Sequence, residues 1–149
     1  MQPFLLTMKA LSDPNRVKIV KLLQQRSLCV CELRAALSIS QPSVSKHLKL
    51  LEEAGLVTSS KEGLYVNYRL ADGSASPYAA TLLGSLRHWL DGDPEVSALV
   101  ERVPSLDRER LCGKQRGEAG AFKHWNMCAS TGTAADAGRV GAVVEGRTK

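Results

Sequence analysis

Two cysteines separated by a single valine stand out in the segment LCVCEL, residues 28–33. Thiolates are the protein ligands that select soft or thiophilic ions, not magnesium or calcium. Closely spaced cysteines in a reducing compartment are more often ligands or redox sensors than disulfides. The alternative is that Cys29 and Cys31 are small buried hydrophobic residues, a role that cysteine fills well. The spacing alone favours neither interpretation, because a C-x-C pair supplies only two ligands.

The two thiols lie where a helix is predicted to begin. Residues 31–37, CELRAAL, have the pattern of a short helix. Side chains at i and i+2 of a regular helix point in nearly opposite directions, whereas in an extended chain they point the same way. Both thiols therefore reach one ion only if the helix begins late or its first turn loosens. A helix N-terminus also lowers the pKa of a thiol and so favours the thiolate that acts as ligand.

The elements around this segment predict a mainly α (α+β) fold. Asp13-Pro14 and Ser40 are typical of helix starts, and Gly55 is typical of a helix end. The predicted order is helices at 4–11, 14–25, 31–37 and 41–54, a β-hairpin at 57–70, a helix at 76–90, and a last amphipathic turn or two within 94–106. This order is a winged helix-turn-helix with flanking dimerisation helices and a two-stranded hairpin as the wing.

The second helix of the helix-turn-helix is the predicted reader of the major groove. Its polar residues, which are predicted to contact DNA, are Gln41, Ser43, Ser45, Lys46, His47 and Lys49. The hairpin adds Lys61 near its tip and Arg69 on its second strand, where a wing would touch the DNA backbone. An ordinary polar surface helix is the alternative, but the hairpin directly afterwards favours nucleic acid binding. Tyr65 and Tyr68 are interpreted as packing residues.

One such domain makes few phosphate contacts, so a monomer would bind DNA weakly. The first and last helices offer more apolar surface than one small core requires. We therefore expect a homodimer that presents two recognition helices to a palindromic operator in double-stranded DNA. Trp89 and its neighbouring leucines either serve this interface or close the protomer core, and the sequence does not separate the two uses.

Composition suits one domain and a tail. The chain has 149 residues and a net charge of +5, which suits a polyanionic partner. No apolar run approaches the roughly 18 residues of a membrane span, and the N-terminus is not typical of a secretory signal. These features predict a cytoplasmic protein without a membrane partner. Apolar periodicity ends near residue 111, which predicts a folded domain at 1–110 and a disordered, Gly-rich tail at 111–149.

Four motifs together resemble the ArsR/SmtB family of metal-responsive repressors, and most of all its arsenic-sensing branch. They are SDPNR (12–16), LCVCEL (28–33), SQPSVSKHLKLLEEAGLV (40–57) and EGLYVNYRL (62–70). The resemblance covers roughly residues 3–95. It implies a homodimeric winged-helix repressor of a resistance operon, released from DNA by its ligand. It also implies that Cys29 and Cys31 bind trivalent arsenic (arsenite) or antimony as the inducer, without an organic cofactor.

One position departs from the arsenic-branch pattern, in which a third cysteine follows three residues after the second. Here that position is Arg34, so the site is either two-coordinate or completed by another residue or an exogenous thiol, with Cys112 and Cys128 as the candidate residues. The zinc-sensing branch uses carboxylates and paired histidines on its last helix, where this chain has only His88. His124 and Cys128 are interpreted as incidental tail residues.

The sequence therefore predicts a repressor of an arsenic-resistance operon that arsenite releases from DNA. The nearest rival is the same winged helix sensing cadmium, lead, zinc or thiol oxidation. A thiol-dependent reductase is disfavoured, because the chain lacks the C-x-x-C redox spacing and any phosphate-cradling loop. A third alternative is a metal-carrying protein whose winged helix contacts another protein.

Overall fold

The computed structural model describes residues 1–118. Within them the chain forms a helical domain with one small antiparallel sheet. The elements are α1 (Gln2–Ala10), α2 (Pro14–Leu23), β1 (Leu28–Cys29), α3 (Val30–Leu37), α4 (Gln41–Glu53), β2 (Val57–Glu62), β3 (Tyr65–Leu70), α5 (Pro77–Leu86), α6 (Pro94–Arg102), a 3-10 turn (Val103–Ser105) and α7 (Arg108–Glu118). The predicted succession of helices and hairpin is confirmed. No helix in the described part of the chain has both the length and the apolar character to cross a bilayer.

The predicted helix caps are present. The Asp13 carboxylate accepts a hydrogen bond from the Arg16 N–H at the start of α2, and the Ser40 hydroxyl accepts one from the Ser43 N–H at the start of α4. Each bond satisfies one of the backbone donors that a helix N-terminus leaves without a partner. Gly55 follows α4 with φ +70°, the left-handed conformation that ends helices and that glycine adopts without steric cost.

The sheet has the strand order β1-β3-β2. β2 and β3 pair from Val57↔Leu70 to Glu62↔Tyr65, which confirms the predicted hairpin and leaves a two-residue turn. The sheet nevertheless has a third strand, β1, which joins β3 through the pairs Leu28↔Tyr68 and Cys29↔Asn67. The sheet therefore has three strands, one more than the two that the sequence predicts. A two-residue strand has no periodicity of its own and forms only because β3 offers it an edge.

The core lies between α2, α3, α4 and the sheet, and α3 and α4 pack against each other through it. Its fully buried side chains include Ile19, Leu22, Leu33, Val44, Leu48, Leu51 and Tyr68. Tyr68 is 1% exposed, so its interpretation as a packing residue is confirmed. Because α3 and α4 share this core, a displacement of α3 has to alter the packing of α4.

The last predicted helix is shorter than the pattern at 76–90 suggested. α5 ends at Leu86, and the buried Lys21 ammonium donates hydrogen bonds to the Leu86 and Trp89 carbonyls (3.0 Å each) and to Asp91 Oδ1 (2.8 Å). The lysine thus satisfies carbonyl groups that a continuing helix would have used internally. Trp89 is 55% exposed, so it does not close the core of the protomer.

α7 crosses the boundary that was predicted after residue 110. The Asp107 carboxylate accepts from the backbone N–H groups of Glu109 (2.9 Å) and Arg110 (3.3 Å) and so begins the helix, which extends to Glu118. The remaining part of the predicted tail, residues 119–149, lies outside the described residues.

Candidate thiol site and nucleic-acid interface

Three cysteine side chains meet at the start of α3. The sulfur atoms of Cys29, Cys31 and Cys112 all lie within 4.8 Å of one another, and Cys29 Sγ is 3.8 Å from Cys112 Sγ. Cys29 and Cys31 are buried, while Cys112 is partly exposed. The two cysteines predicted from their spacing are therefore joined by one of the two sequence candidates for a third thiol. The other candidate, Cys128, lies outside the described residues.

The backbone explains why both thiols of the C-x-C pair point to one place. Cys29 ends β1 in an extended conformation (φ −89°, ψ 169°) and caps α3, whose first residue is Val30. Cys31 already belongs to the first helical turn. The helix thus begins between the two cysteines, which meets the condition that it begin late. Because Cys29 is extended, its thiol points toward that of Cys31. In a continuous helix the two thiols would point in nearly opposite directions.

The environment of Cys29 favours its thiolate. Hydrogen bonds from Cys112 and then from Cys31 lower the pKa of Cys29, and the Glu32 backbone N–H adds a smaller effect in the same direction. Burial opposes this shift, because it disfavours the charged form. A thiolate is the form that ligates soft ions. The neighbouring thiols and the helix start therefore prepare Cys29 to bind one.

The buried Glu32 side chain, which is 0% exposed, connects the thiol site to two arginines. Its Oε2 accepts the Cys29 backbone N–H at 2.8 Å, so Glu32 and Cys29 form a capping box at the helix start. Its Oε1 accepts from Arg26 Nη1 at 2.9 Å, and Arg108 Nε lies 3.6 Å from its Oε2. Burial raises the pKa of Glu32 most, with a further contribution from the Cys29 charge.

Arg26, Glu32 and Arg108 were not predicted from the sequence as members of this site. The position of Glu32, three residues after the helix-capping Cys29, is the signal for a capping box. Asp107 before Arg108 is the matching signal for the start of α7. The two arginines are separated from Glu32 by 6 and 76 positions along the chain, so their convergence has no signal in local periodicity.

The geometry fits a thiophilic ion. Two sulfurs each about 2.3 Å from one ion, at a near-tetrahedral angle, are roughly 3.8 Å apart, and this is the separation of Cys29 and Cys112. A structural zinc site takes four ligands. The described residues bring three cysteines together here, which suits a centre that forms three bonds to sulfur. Arg34, at the position where the arsenic pattern has its cysteine, is exposed, as is His88 after α5.

The predicted DNA-contacting face of α4 divides into exposed and buried residues. Lys46 and Lys49 are exposed, and Ser43, Ser45 and His47 are partly exposed. His47 turns its Nδ1 toward Asp13, 3.9 Å away, at the start of α2. Gln41, the first residue of α4, is in contrast only 8% exposed. It is therefore the member of the set with the least surface available to a partner.

The wing also carries exposed cationic residues. Lys61 is exposed on β2, where it pairs with Val66 one step from the turn, and Arg69 is exposed on β3. The charged side chains exposed in the earlier turns of α4 are cationic, while Glu52 and Glu53 come at its end. This distribution places the exposed cationic side chains of α4 in its second and third turns, and Lys61 and Arg69 add positive charge on the wing beside the exposed Glu62.

Known bacterial regulatory proteins are similar to this chain in sequence. Residues 13–59 match the family model for bacterial regulatory proteins of the arsR family. An arsenical resistance operon repressor of Escherichia coli is 38% identical over 109 residues, which cover 70% of this chain and 91% of that protein.

Two solved structures have the same fold. HlyU from Vibrio cholerae has a TM-score of 0.51 at 30% identity, covering 60% of this chain and 95% of that one. The transcriptional repressor BigR from Xylella fastidiosa also has a TM-score of 0.51 at 30% identity, covering 58% and 83% of the two chains. The E. coli protein and BigR are repressors by their names, and the matching family model is one of regulatory proteins, not of enzymes. By its match to nearly the whole E. coli repressor and by its winged helix, the chain belongs to the ArsR family of DNA-binding transcriptional repressors.

Proposed function

We propose that this repressor controls an arsenic-resistance operon and leaves its operator when trivalent arsenic or antimony binds Cys29, Cys31 and Cys112. The observation that carries the proposal is the cluster of three sulfurs within 4.8 Å at the start of α3. Arsenous acid exchanges its three hydroxyl groups for three sulfur ligands, and each hydroxyl leaves as water with a proton from a thiol or, where Cys29 is already a thiolate, from the solvent. The name of the E. coli relative, an arsenical resistance operon repressor, supports the same inducer.

DNA contact is assigned to α4 and the wing. Lys46 and Lys49 approach phosphates or guanine, Ser43 and Ser45 face the major groove, and Lys61 meets the flanking backbone. His47 stays in the proposed set, although its Nδ1 is directed toward Asp13. Gln41 remains in the proposed set as the residue nearest the helix N-terminus, although it is only 8% exposed.

The functional unit is proposed to be a homodimer on a palindromic operator. On α1 the side chains of Phe4, Leu5, Leu6 and Met8 are exposed. Phe4 packs edge-to-face on the exposed Tyr78 of α5, with ring centroids 5.4 Å apart, so the two helices share one apolar face. A continuous apolar face of this kind on a regulator is typical of a subunit interface. Sedimentation of the wild type and of Leu5→Glu tests this part, with a monomeric variant as the expected result.

Coupling between the two sites follows two short routes. α3 begins in the thiol site and shares the core with α4, and β1 ends at Cys29, which pairs with Asn67 of the wing. Drawing three sulfurs toward one atom therefore strains both the support of the reading helix and the edge of the wing sheet. A typical coupling free energy of roughly 1–3 kcal/mol weakens operator binding about 5–150-fold, and operator DNA weakens arsenite binding by the same factor.

The test is a gel shift of the reduced protein on the DNA upstream of its own gene, with parallel titrations of arsenite, zinc and cadmium. Release by arsenite at lower concentrations than by either metal is expected. Replacing both Cys29 and Cys31 by serine should keep operator binding and abolish the arsenite response. A response that persists in this double variant, or selective release by zinc or cadmium, would overturn the assignment of the inducer.

Thiol oxidation is a second candidate, favoured by the 3.8 Å separation of Cys29 and Cys112. A peroxide would take two electrons from these thiols, and the disulfide would form as both thiol protons leave in water. Release by peroxide that dithiothreitol reverses, together with no response to arsenite in reduced protein, would favour this alternative.

A further inference from the structure

The thiol site depends on a segment distant in sequence, and one ion-pair network holds that segment in place. Arg26 donates through Nη2 to the Val103 carbonyl (3.3 Å) and the Leu106 carbonyl (2.9 Å), while its Nη1 pairs with Glu32. Arg26 therefore links residues 103–106, which lead into α7, to the Glu32 carboxylate that caps α3.

Arg108 makes the second attachment, at the start of α7 itself. Its Nε lies 3.6 Å from Glu32 Oε2, and its guanidinium carbon lies 5.4 Å from the centroid of the Tyr65 ring on the wing. Cys112 follows Arg108 by four residues, so the two side chains lie on the same face of α7, one turn apart. A helix held at Arg108 by Glu32 therefore presents its next turn to Cys29, which is itself capped by Glu32.

We propose that Glu32 and Arg108 are positioning residues that deliver Cys112 to the inducer site. This inference rests on the proposed function and adds to it how the third ligand is recruited. Glu32 holds the two halves of the site through one carboxylate: it bonds the backbone of Cys29 and pairs with the arginine one turn before Cys112. The C-x-C segment supplies only two thiols. The Glu32–Arg108 pair therefore positions the third, Cys112, beside them.

Partners of this kind typically change the affinity of a site for its ion by about 10–100-fold when removed. We expect Arg108→Gln in the full-length protein to weaken arsenite binding by about this factor and to reduce the arsenic coordination from three sulfurs to two. X-ray absorption of the arsenic-loaded protein counts the sulfurs, and competition with a chromogenic dithiol gives the affinity. Arg110→Gln is the matched control, because Arg110 is exposed on the same helix.

A double-mutant cycle separates positioning from a general loss of stability. If Arg108 acts through Cys112, Arg108→Gln combined with Cys112→Ser should bind arsenite no more weakly than Cys112→Ser alone. Thermal unfolding of each variant identifies the temperature at which all are folded, and binding is measured there. Arg108→Lys should recover part of the affinity, since it keeps the charge that pairs with Glu32.

The outcomes distinguish this inference from the proposed function. Three sulfurs and wild-type affinity in Arg108→Gln, or additive losses in the cycle, would overturn the positioning role while leaving arsenite as inducer. Absence of arsenite binding by the wild type would overturn the proposed function, and the positioning inference with it.

Discussion

The thiol site and the surface proposed to bind DNA are built in opposite ways. The DNA surface comes from one continuous stretch, residues 41–70, and its cationic side chains project from α4 and the wing into solvent. The thiol site joins β1, α3 and α7, with Cys29 and Cys112 separated by 83 positions, and its central carboxylate is fully buried. The surface depends on which residues occupy an exposed face, whereas the site depends on how distant segments pack.

This difference predicts how each region responds to substitution. A substitution on an exposed face removes the interaction of one side chain and leaves its neighbours in place, because each side chain acts from its own position. A substitution in the buried network displaces other members, because Glu32 serves a backbone amide and two arginines together. The regions meet at α3 and β1, so the shared core is where one change should affect both.

The largest expected effect comes from breaking that shared core. The side chain of Leu48 on α4 is fully buried, and Leu48→Ala should lower the free energy of unfolding by about 2–5 kcal/mol. Urea denaturation followed by circular dichroism measures the loss. Lys49→Ala, at the exposed neighbouring position, should stay within about 0.5 kcal/mol of the wild type. Equal losses in the two variants would contradict the described orientation of α4.

The next effect concerns the third thiol. Cys112→Ser should weaken arsenite binding at least about tenfold, or about 1.4 kcal/mol, because the arsenic then forms two sulfur bonds in place of three. Operator affinity without arsenite should not change. Cys128→Ser is the matched control and should leave both affinities as they are. Weakening by Cys128→Ser with no effect of Cys112→Ser would move the third ligand to the segment after residue 118.

A smaller effect is expected at the surface proposed to bind DNA. Replacing Lys46 and Lys49 by alanine should reduce the salt dependence of operator binding, with the log–log slope falling by about 0.9 for each phosphate that the variant no longer neutralises. Arsenite affinity in the absence of DNA should remain that of the wild type. Fluorescence anisotropy at several salt concentrations measures the slope. Arg102→Ala, at an exposed position on α6, is the control, and an equal fall in its slope would argue against α4 as the specific contact.

The smallest effect is on proton binding by Cys29. Cys112 contributes most to lowering the pKa of Cys29, so Cys112→Ala should raise that pKa toward its ordinary value of 9.0. A lowered folded-state pKa stabilises the fold fully above about pH 9 and less as the pH falls toward the lowered value. The variant should therefore lose more stability in alkaline than in acidic solution. Thiolate ultraviolet absorbance against pH checks the shift, and an unchanged titration would contradict it.

Much of the fold was predictable because its signals are local. Asp13 and Ser40 mark helix starts through side chains that bond amides three residues away, and Gly55 marks a helix end through its left-handed φ. The patterns that predicted α4 and the hairpin at 57–70 likewise depend on neighbours a few residues apart. These signals were sufficient for the helix-turn-helix and its wing, and family resemblance added the expectation of thiol ligands at Cys29 and Cys31.

Other features have no local signal. α5 ends at Leu86, whose carbonyl accepts a hydrogen bond from Lys21, 65 positions earlier in the chain. β1 exists because β3 offers it an edge. In each case the deciding partner is distant in sequence and contributes through packing or a hydrogen bond that periodicity does not record.

The sequence by itself determined the helix-turn-helix, its hairpin and the paired cysteines, because helix caps, turns and side-chain periods act over a few residues. It also named Cys112 and Cys128 as possible third thiols without choosing between them. Only the tertiary structure brought Cys112 to Cys29, and only it made Glu32 the common partner of Arg26 and Arg108. The physical reason is that burial and ion pairing act over distance in space, so a site made from separate segments exists only once they have packed together.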